Sequence, residues 1–459
     1  MRSPAEVFKA YDIRGTVPDQ LDGALCRAVG EAFARFSAAE RVVVARDMRE
    51  SGTVLAAAFA DGLRSQGTAV TDIGVASTDC LYFASGRFDA PGAMFTASHN
   101  PAGYNGIKLC LAGARPIGRD TGLGEIEALT EEYLADPPPV GPPAPLDHVD
   151  VLEAYAEHVR SFVDVSRLRP LRVVADTANG MGGLVVPLVM GPLPFDVEIL
   201  FAELDGNFPN HPADPIQPEN LKDLKAAVLD AGADIGLAFD GDADRVFLVD
   251  ERAEPVSGSL TTALVAASML DRNPGATVLY NLICSHVVPE VIAEHGGVGI
   301  RTRVGHSFIK EVMAETGAVF GGEHSGHYYF RDNFRADSGI IAALIVLELL
   351  STSGSTLSEL LVPYRRYADS GEINTEVPDP HAAVDAVGER AAELGASVDR
   401  LDGVTAEFGD WWFNVRPSNT EPLLRLNLEA STPEACERHV AEVVGMIKEL
   451  AGPSGPPAN

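Results

Sequence analysis

The sequence predicts an α/β protein: three related strand–helix–strand units with mostly parallel sheets, then a smaller α+β domain. Three observations carry this. A β-rich run opens each unit, RVVVARD from 41, LRVVADTANG from 171 and ATVLYNLICS from 276, and a helical pattern follows each. A second strand-like run closes each crossover, TAVTDIG from 68, FDVEILF from 195 and VGIRTRV from 298. Each unit then reaches a third strand ending in a polar loop: GAMFTASHNP, IGLAFDGDADR and AVFGGEHSGH. Ligands of parallel sheets collect beyond the carboxyl ends of strands. The three loops therefore either face one shared cleft or are ordinary βα turns. The chain after Tyr367 does not repeat the pattern and finishes in an amphipathic helix, Pro433 to Leu450.

Punctuation divides the units. PPPVGPPAP, residues 137–145, can sit in neither a helix nor a central strand. Weaker breaks fall at Asp250 to Pro255 and at Tyr364 to Gly371, and the tail from Gly452 has the composition of disorder. The stretch Gly339 to Leu350, GIIAALIVLELL, contains Glu348 and is too short to span a bilayer, so it predicts a buried core helix.

Composition bounds the function. Of 459 residues 46% are apolar, enough for real cores, while 35 Lys+Arg against 66 Asp+Glu leave a net charge of −31. A charge of that sign disfavours nucleic acid and anionic membranes as partners. A small anionic substrate stays open, because local cations override a distant field. Five cysteines without a CxxC pair predict a reduced, cytoplasmic protein, and the N-terminus shows no apolar core of a secretory signal.

Asp240-Gly241-Asp242-Ala243-Asp244-Arg245 carries the strongest chemistry. Three carboxylates at alternate positions can each turn one oxygen to a hard cation, and Mg²⁺ takes few protein oxygens. A calcium loop of the EF-hand kind is a rival, since Glu251 stands at its twelfth position. It fails because Arg245 occupies the sixth, where the turn needs glycine, and because the flanks are strand-like. A merely solvated acidic turn conflicts with the apolar runs on both sides.

Thr96-Ala97-Ser98-His99-Asn100-Pro101 sets a serine on a tight loop beside an imidazole, a plausible nucleophile or a proline-closed turn. Neither a local Ser-His-Asp set nor a GxSxG elbow accompanies it. Lys108 follows; lysine numbers six here against 29 arginines, and only lysine exchanges protons at useful pH. Glu323, Ser325 and His327, within GEHSGH, suit vicinal sugar hydroxyls or a chelating cluster. Arg416, Ser418, Asn419 and Thr420, within RPSNTEP, suit a phosphate cradle or a capped turn, and no GxxxxGK[ST] is present. Tyr11 and Arg14, in YDIRG, gain meaning only beside the others. His306, in RVGHSF, is a proton-transfer group or a satisfied loop histidine.

Together FKAYDIRG, TASHNP followed by YNGIK, DGDADR, GEHSGH and RPSNTEP stand in the order seen in the α-D-phosphohexomutases. The resemblance runs from Val7 to Leu450 and is strongest to the bacterial phosphomannomutase/phosphoglucomutase branch. It implies an α/β fold of three related α/β domains with mixed, mostly parallel sheets plus a smaller C-terminal α+β domain around a central cleft. The implied divisions are 1–146 with a phosphoserine loop, 147–251 with an Mg²⁺ loop, 252–366 with a sugar loop and 367–459 with a phosphate loop. Ser98 would be the phosphorylated serine. Asp240, Asp242 and Asp244, with an oxygen of phosphorylated Ser98, would hold Mg²⁺. Lys108, in neutral form, and His306 match the proton-transfer positions. Arg245 and Arg14 would stabilise the transferring phosphate, and Tyr11 would line the cleft. Glu323, Ser325 and His327 would read sugar hydroxyls. Arg416, Ser418, Asn419 and Thr420 would grip the other phosphate.

The resemblance further implies an isomerase that interconverts mannose 1-phosphate and mannose 6-phosphate, with hexose 1,6-bisphosphate as intermediate and activator. Alternatives are glucose phosphate or dual specificity, glucosamine phosphate, a phosphosugar binder without turnover, or a metal-dependent phosphatase. His324 argues against glucosamine phosphate, whose enzymes usually carry glutamine at that position. One departure concerns a phosphate-contacting lysine of some relatives, where this chain has Ile283; Arg303 is the candidate substitute. The implied partner is a small phosphosugar, and the implied assembly a monomer or weak dimer.

Overall fold

The Val-rich runs form central strands because β-branched side chains fill a sheet covered on both faces. Arg41–Arg46, Arg172–Asp176 and Thr277–Asn281 each pair in parallel with two neighbours in their own sheet. The structure, a computed structural model, describes residues 4–418 and 423–451. Its sheets have seven, five, four and five strands, and the first three are mixed.

Each of the first three sheets makes the same switch from parallel to antiparallel pairing. Gly92–Phe95 hands over to antiparallel Tyr104–Leu111, Ile235–Phe239 to Val246–Asp250, and Phe320–Gly322 to Tyr328–Phe330. The three polar loops are the turns at these switches. They are not the βα turns that a purely parallel reading would make them. An antiparallel return brings each loop back over its own sheet end, which keeps the loops short and their polar groups near one another.

The fourth sheet, Ala368–Glu376, Leu423–Ala430, Trp411–Pro417, Val404–Glu407 and Ser397–Asp399, is antiparallel throughout. Pro433–Ala451 covers it as the amphipathic pattern predicts. The strand Leu146–His148 straddles the division at 146/147 and pairs in parallel with Ala69–Val75 of the first sheet.

One apolar core joins the first three units. It runs from Val43 and Met94 through Val173 and Leu237 to Val278 and Phe320, and the helix Gly339–Ser353 lies within it. That helix is apolar nearly all round, so it packs only where protein surrounds it. Among the described residues no single helix is long and apolar enough to cross a membrane. The C-terminal domain has a separate core around Val387, Val415, Leu426 and Ile447. It meets the third unit through polar contacts: His286 stacks on Trp412 at 5.3 Å, and the Val304 N–H donates to Asp402 Oδ2 at 3.2 Å.

Asp79 ties the three units at a buried point. Its carboxylate accepts from Ser77 of its own helix start, from Tyr155 at 2.7 Å and from Ser338 at 2.6 Å. Burial pushes its pKa from 3.8 up to about 6, against the three hydroxyl donors that lower it. An acid whose folded pKa is raised binds more protons folded than unfolded across that window, so stability falls as pH rises from about 4 to about 6. Asp79→Asn removes this titration. Urea unfolding of wild type and variant at pH 4, 5 and 6 is expected to show wild-type stability declining relative to the variant; parallel profiles would refute it.

Candidate active site

Ser98 follows the buried strand Gly92–Phe95 and adopts a left-handed φ of 49°, a strained choice for serine. What holds it there is Arg49, whose side chain is 1% exposed. Its Nη2 donates to the carbonyls of Ser98 at 2.9 Å and Asn100 at 2.6 Å, and its Nη1 to those of Pro101 and Tyr104, both at 2.9 Å. Asp47 accepts from Arg49 Nε at 3.2 Å, and Phe208 from the second unit covers the guanidinium at 5.1 Å. Burial lowers the Arg49 pKa and raises that of Asp47 to about 6, each partly countered by the other. The sequence reading missed this clamp. Its only sequence signal is RDMRE, directly after the strand Arg41–Arg46.

The acidic loop meets the serine loop from the second unit. Ser98 Oγ donates to Asp240 Oδ2 at 2.7 Å. A Cβ on Gly241 would lie 2.4 Å from the Ser98 carbonyl oxygen, so only glycine lets the loops approach this closely. Asp240, Asp242 and Asp244 are fully buried, with one oxygen of each within 4.8 Å of the others. Lys108 Nζ donates to Oδ2 of Asp242 at 2.7 Å and of Asp244 at 2.6 Å, and Thr78 Oγ1 also donates to Asp242 at 2.5 Å. The Oδ1 atoms of Asp242 and Asp244 are buried with no hydrogen-bond partner among the described residues. Orphaned carboxylate oxygens converging with hard-donor chemistry fit a divalent cation, and Mg²⁺ above softer metals.

Lys108 departs from the neutral amine expected of it. Burial alone would lower its pKa, but Asp242 and Asp244 raise it well above the ordinary value. Lys108 is an ammonium in this arrangement. Burial pushes Asp240 up, while Lys108 outweighs burial and draws Asp242 down.

Arg245 completes the cluster, with Nε on Asp240 Oδ2 at 2.9 Å and Nη2 against His99 Nδ1 at 2.6 Å. His99 Nδ1 stands 3.4 Å from Ser98 Oγ. Burial and then Arg245 and Arg14 hold its pKa well below the ordinary value, so the ring is neutral and accepts at Nδ1. His99 belongs to the quoted motif, yet the sequence reading gave it no separate role. Arg14 reaches the same loop through Asn100 Oδ1 at 2.6 Å.

The third unit closes one side. Glu323 Oε1 accepts from Asn281 and from the Gly305 N–H, both at 3.2 Å, and Oε2 from Tyr329 at 2.6 Å. His327 lies 3.1 Å from Ser325 Oγ and 3.7 Å from Asp244 Oδ1. His306 begins the helix His306–Thr316, and its side chain lies outside the described residues. A cleft of about 1050 Å³ opens beside the serine loop, reaching it at His99 and Asn100, and is lined by Tyr11, Arg14, Arg416 and Arg425 among others. The Nε atoms of Arg14, Arg416 and Arg425 are buried without hydrogen-bond partners among the described residues. Glu372 anchors Arg416 at 2.8 Å and Arg425 at 3.0 Å. Ser418 hydrogen-bonds through its N–H to the Leu423 carbonyl, whereas Asn419 and Thr420 lie outside the described residues. Ile283 is buried at the boundary with the C-terminal domain, beside His324 and Trp412; Arg303 stacks on Phe308 near Tyr11.

A serine held against an acidic trio with the chemistry to hold a metal ion, beside a cleft lined by arginines, is the arrangement of a phosphotransferase acting on phosphorylated small molecules. Four family models match in order: the phosphoglucomutase/phosphomannomutase alpha/beta/alpha domains I, II and III at residues 5–136, 153–254 and 257–367, and the C-terminal domain at 372–446. The chain belongs to this family, the α-D-phosphohexomutases, and is an intramolecular phosphotransferase of the isomerase class. It is 41% identical over 445 residues to a protein named "Phosphohexose mutases" from Xanthomonas campestris pv. campestris, covering 96% of this chain and 99% of that one. It is 38% identical over 432 residues to an Escherichia coli phosphomannomutase, covering 92% and 94%. A crystal structure of a phosphoglucomutase/phosphomannomutase family protein from Burkholderia thailandensis matches with a TM-score of 0.88 and 32% identity, covering 100% and 99%. These relatives support phosphohexomutase activity.

The clamp generates a prediction. Arg49→Lys keeps the charge but loses the fork that spans four carbonyls, so Ser98 shifts from its alignment. Displacement on the scale of an ångström costs about 10²-fold in rate. Steady-state kinetics are expected to show that loss in kcat with KM little changed; an unchanged kcat would show that the loop holds its own shape.

Proposed function

We propose that the protein interconverts mannose 1-phosphate and mannose 6-phosphate through a phosphoserine enzyme and a hexose 1,6-bisphosphate. The observation that supports this most is Ser98 Oγ at 2.7 Å from Asp240, on a loop that borders a cleft lined by Arg14, Arg416 and Arg425. Ser98 carries the phosphoryl group. Asp240, Asp242 and Asp244, with an oxygen of that group, would hold Mg²⁺. When bound, Mg²⁺ offsets negative charge on the transferring phosphoryl group.

In the first half-reaction the Ser98 Oγ–P bond breaks and a bond forms from phosphorus to the free sugar hydroxyl oxygen. The hydroxyl proton passes to His306, and Lys108, held as an ammonium, supplies a proton to Ser98 Oγ. Arg245 and Arg14 face the equatorial oxygens in transit. The bisphosphate then turns, and its other phosphate returns to Ser98 by the reverse sequence. Ser325, His327 and the lone pairs left on Glu323 read the sugar hydroxyls in either orientation, with Tyr11 against the ring. Arg416, Ser418, Asn419 and Thr420 grip the phosphate that is not moving. The C-terminal domain, by covering the cleft, keeps water from competing.

A phosphorus NMR time course with Mg²⁺, mannose 1-phosphate and a trace of hexose 1,6-bisphosphate tests the reaction. Growth of mannose 6-phosphate without inorganic phosphate is expected, and its absence with Ser98→Ala. Release of inorganic phosphate alone would replace this reading with a hydrolase. Specificity constants for glucose phosphates, measured alongside, decide the sugar: a value above that for mannose would reverse the assigned preference. Asp242→Asn should abolish Mg²⁺ dependence together with turnover, and full turnover in excess chelator would remove the metal from the reading.

A further inference from the structure

Beside the cleft lies a second chamber of about 740 Å³. The two cavities adjoin, sharing Ala10, Tyr11, Arg119, Val304 and Arg416 in their walls. Its lining is richer in cations than the chain around it. Six cations line it, Arg115, Arg119, Arg303, Lys310, Arg335 and Arg416, against three carboxylates, in a protein of net charge −31.

Three of the six are already matched: Arg119 by Glu127, Lys310 by Asp337 at 2.6 Å and Arg416 by Glu372 at 2.8 Å. The other three are not. Among the described residues Arg115, Arg303 and Arg335 have no carboxylate within 4.0 Å. Arg303 stacks on Phe308 at 4.3 Å, and Arg115 spends one N–H on the Ala112 carbonyl at 3.3 Å. Guanidiniums with spare forked donors around an open cavity suit a phosphate dianion better than any neutral ligand.

The proposed reaction creates a need for such a place. A hexose 1,6-bisphosphate carries a phosphate at each end and must present both to Ser98 in succession. While it turns, the end that leaves Ser98 has to be held elsewhere, or the intermediate is lost to solvent. We propose that this chamber binds one phosphate of the hexose 1,6-bisphosphate during the turn and so retains it on the enzyme. The inference rests on the phosphohexomutase reading above. The chamber step makes and breaks no covalent bond. Arg115 begins the short strand Arg115–Pro116 paired with Tyr104–Leu111, and Arg335 lies in the turn after Tyr328–Phe330, so the retaining charges belong to elements apart from the acidic loop.

The test separates this inference from the reading beneath it. Enzyme is loaded with ³²P-labelled hexose 1,6-bisphosphate and chased with unlabelled bisphosphate; escape of label into solvent is compared with label reaching hexose monophosphate. Arg115→Gln combined with Arg335→Gln is expected to raise the escaping fraction about tenfold, the scale of one lost phosphate contact. Arg115→Lys with Arg335→Lys, which keeps both charges but loses the forks, is expected to raise escape less than the glutamine pair, about threefold. Should the double glutamine variant fail to fold, Arg115→Gln alone, at an exposed position, is expected to raise escape about threefold. An escaping fraction unmoved by these substitutions, in an enzyme that still isomerises, overturns the chamber. A wild-type enzyme that passes no label to monophosphate overturns the mutase reading instead.

Discussion

Three carboxylates buried within 4.8 Å of one another are the constraint around which the rest of the molecule is arranged. Concentrated negative charge in a low-dielectric interior is unfavourable unless cations face it at contact distance. Lys108 and Arg245 do so directly, and they come from different units. The acidic loop is therefore stable only where the first unit delivers Lys108 to it. That requirement accounts for the joint core of the three units, for Asp79 linking them at one buried carboxylate, and for a glycine where the two loops touch. Two cations against three carboxylates offset the cluster only in part, and among the described residues Asp242 and Asp244 each keep an oxygen without a hydrogen-bond partner.

Much of this was legible in the sequence because each motif is local. Strand runs, the proline linker, the core helix from Gly339 and the final amphipathic helix all declared themselves through composition over a few residues. The acidic loop did too, since alternate carboxylates between apolar runs admit few other uses. What stayed hidden depends on contacts between distant segments. Arg49 is one arginine of 29 until its four carbonyl partners, some fifty positions away, are in place. The charge of Lys108 was misjudged for a related reason: rarity of lysine suggested a tunable base, but charge state is set by the neighbours, and those neighbours are two aspartates of the second unit. The mixed pairing was implied, but the place of each antiparallel return was not, because it is set by pairing between strands and not by residues within one loop.

The cleft shows how a strongly acidic protein accommodates an anionic sugar. Its cations are neither numerous nor evenly spread. Arg14, Arg416 and Arg425 gather in the cleft that borders the serine loop, and Glu372 pairs with two of them. Over distances beyond about 8 Å salt screens the surrounding negative field, whereas contacts inside the cleft are felt in full. Local placement of a few guanidiniums thus outweighs the formal charge of the whole chain.

The C-terminal domain has a core of its own and meets the third unit through stacked rings and polar pairs. Its opening free energy is consequently a different quantity from the unfolding free energy of the shared core. The first can be small while the second is large. Substitutions along the His286–Trp412 boundary would thus change how often the cleft stands exposed without weakening the scaffold that aligns Ser98. Natural variation can tune access and durability along separate axes, one at the boundary of the C-terminal domain and one in the core shared by the first three units.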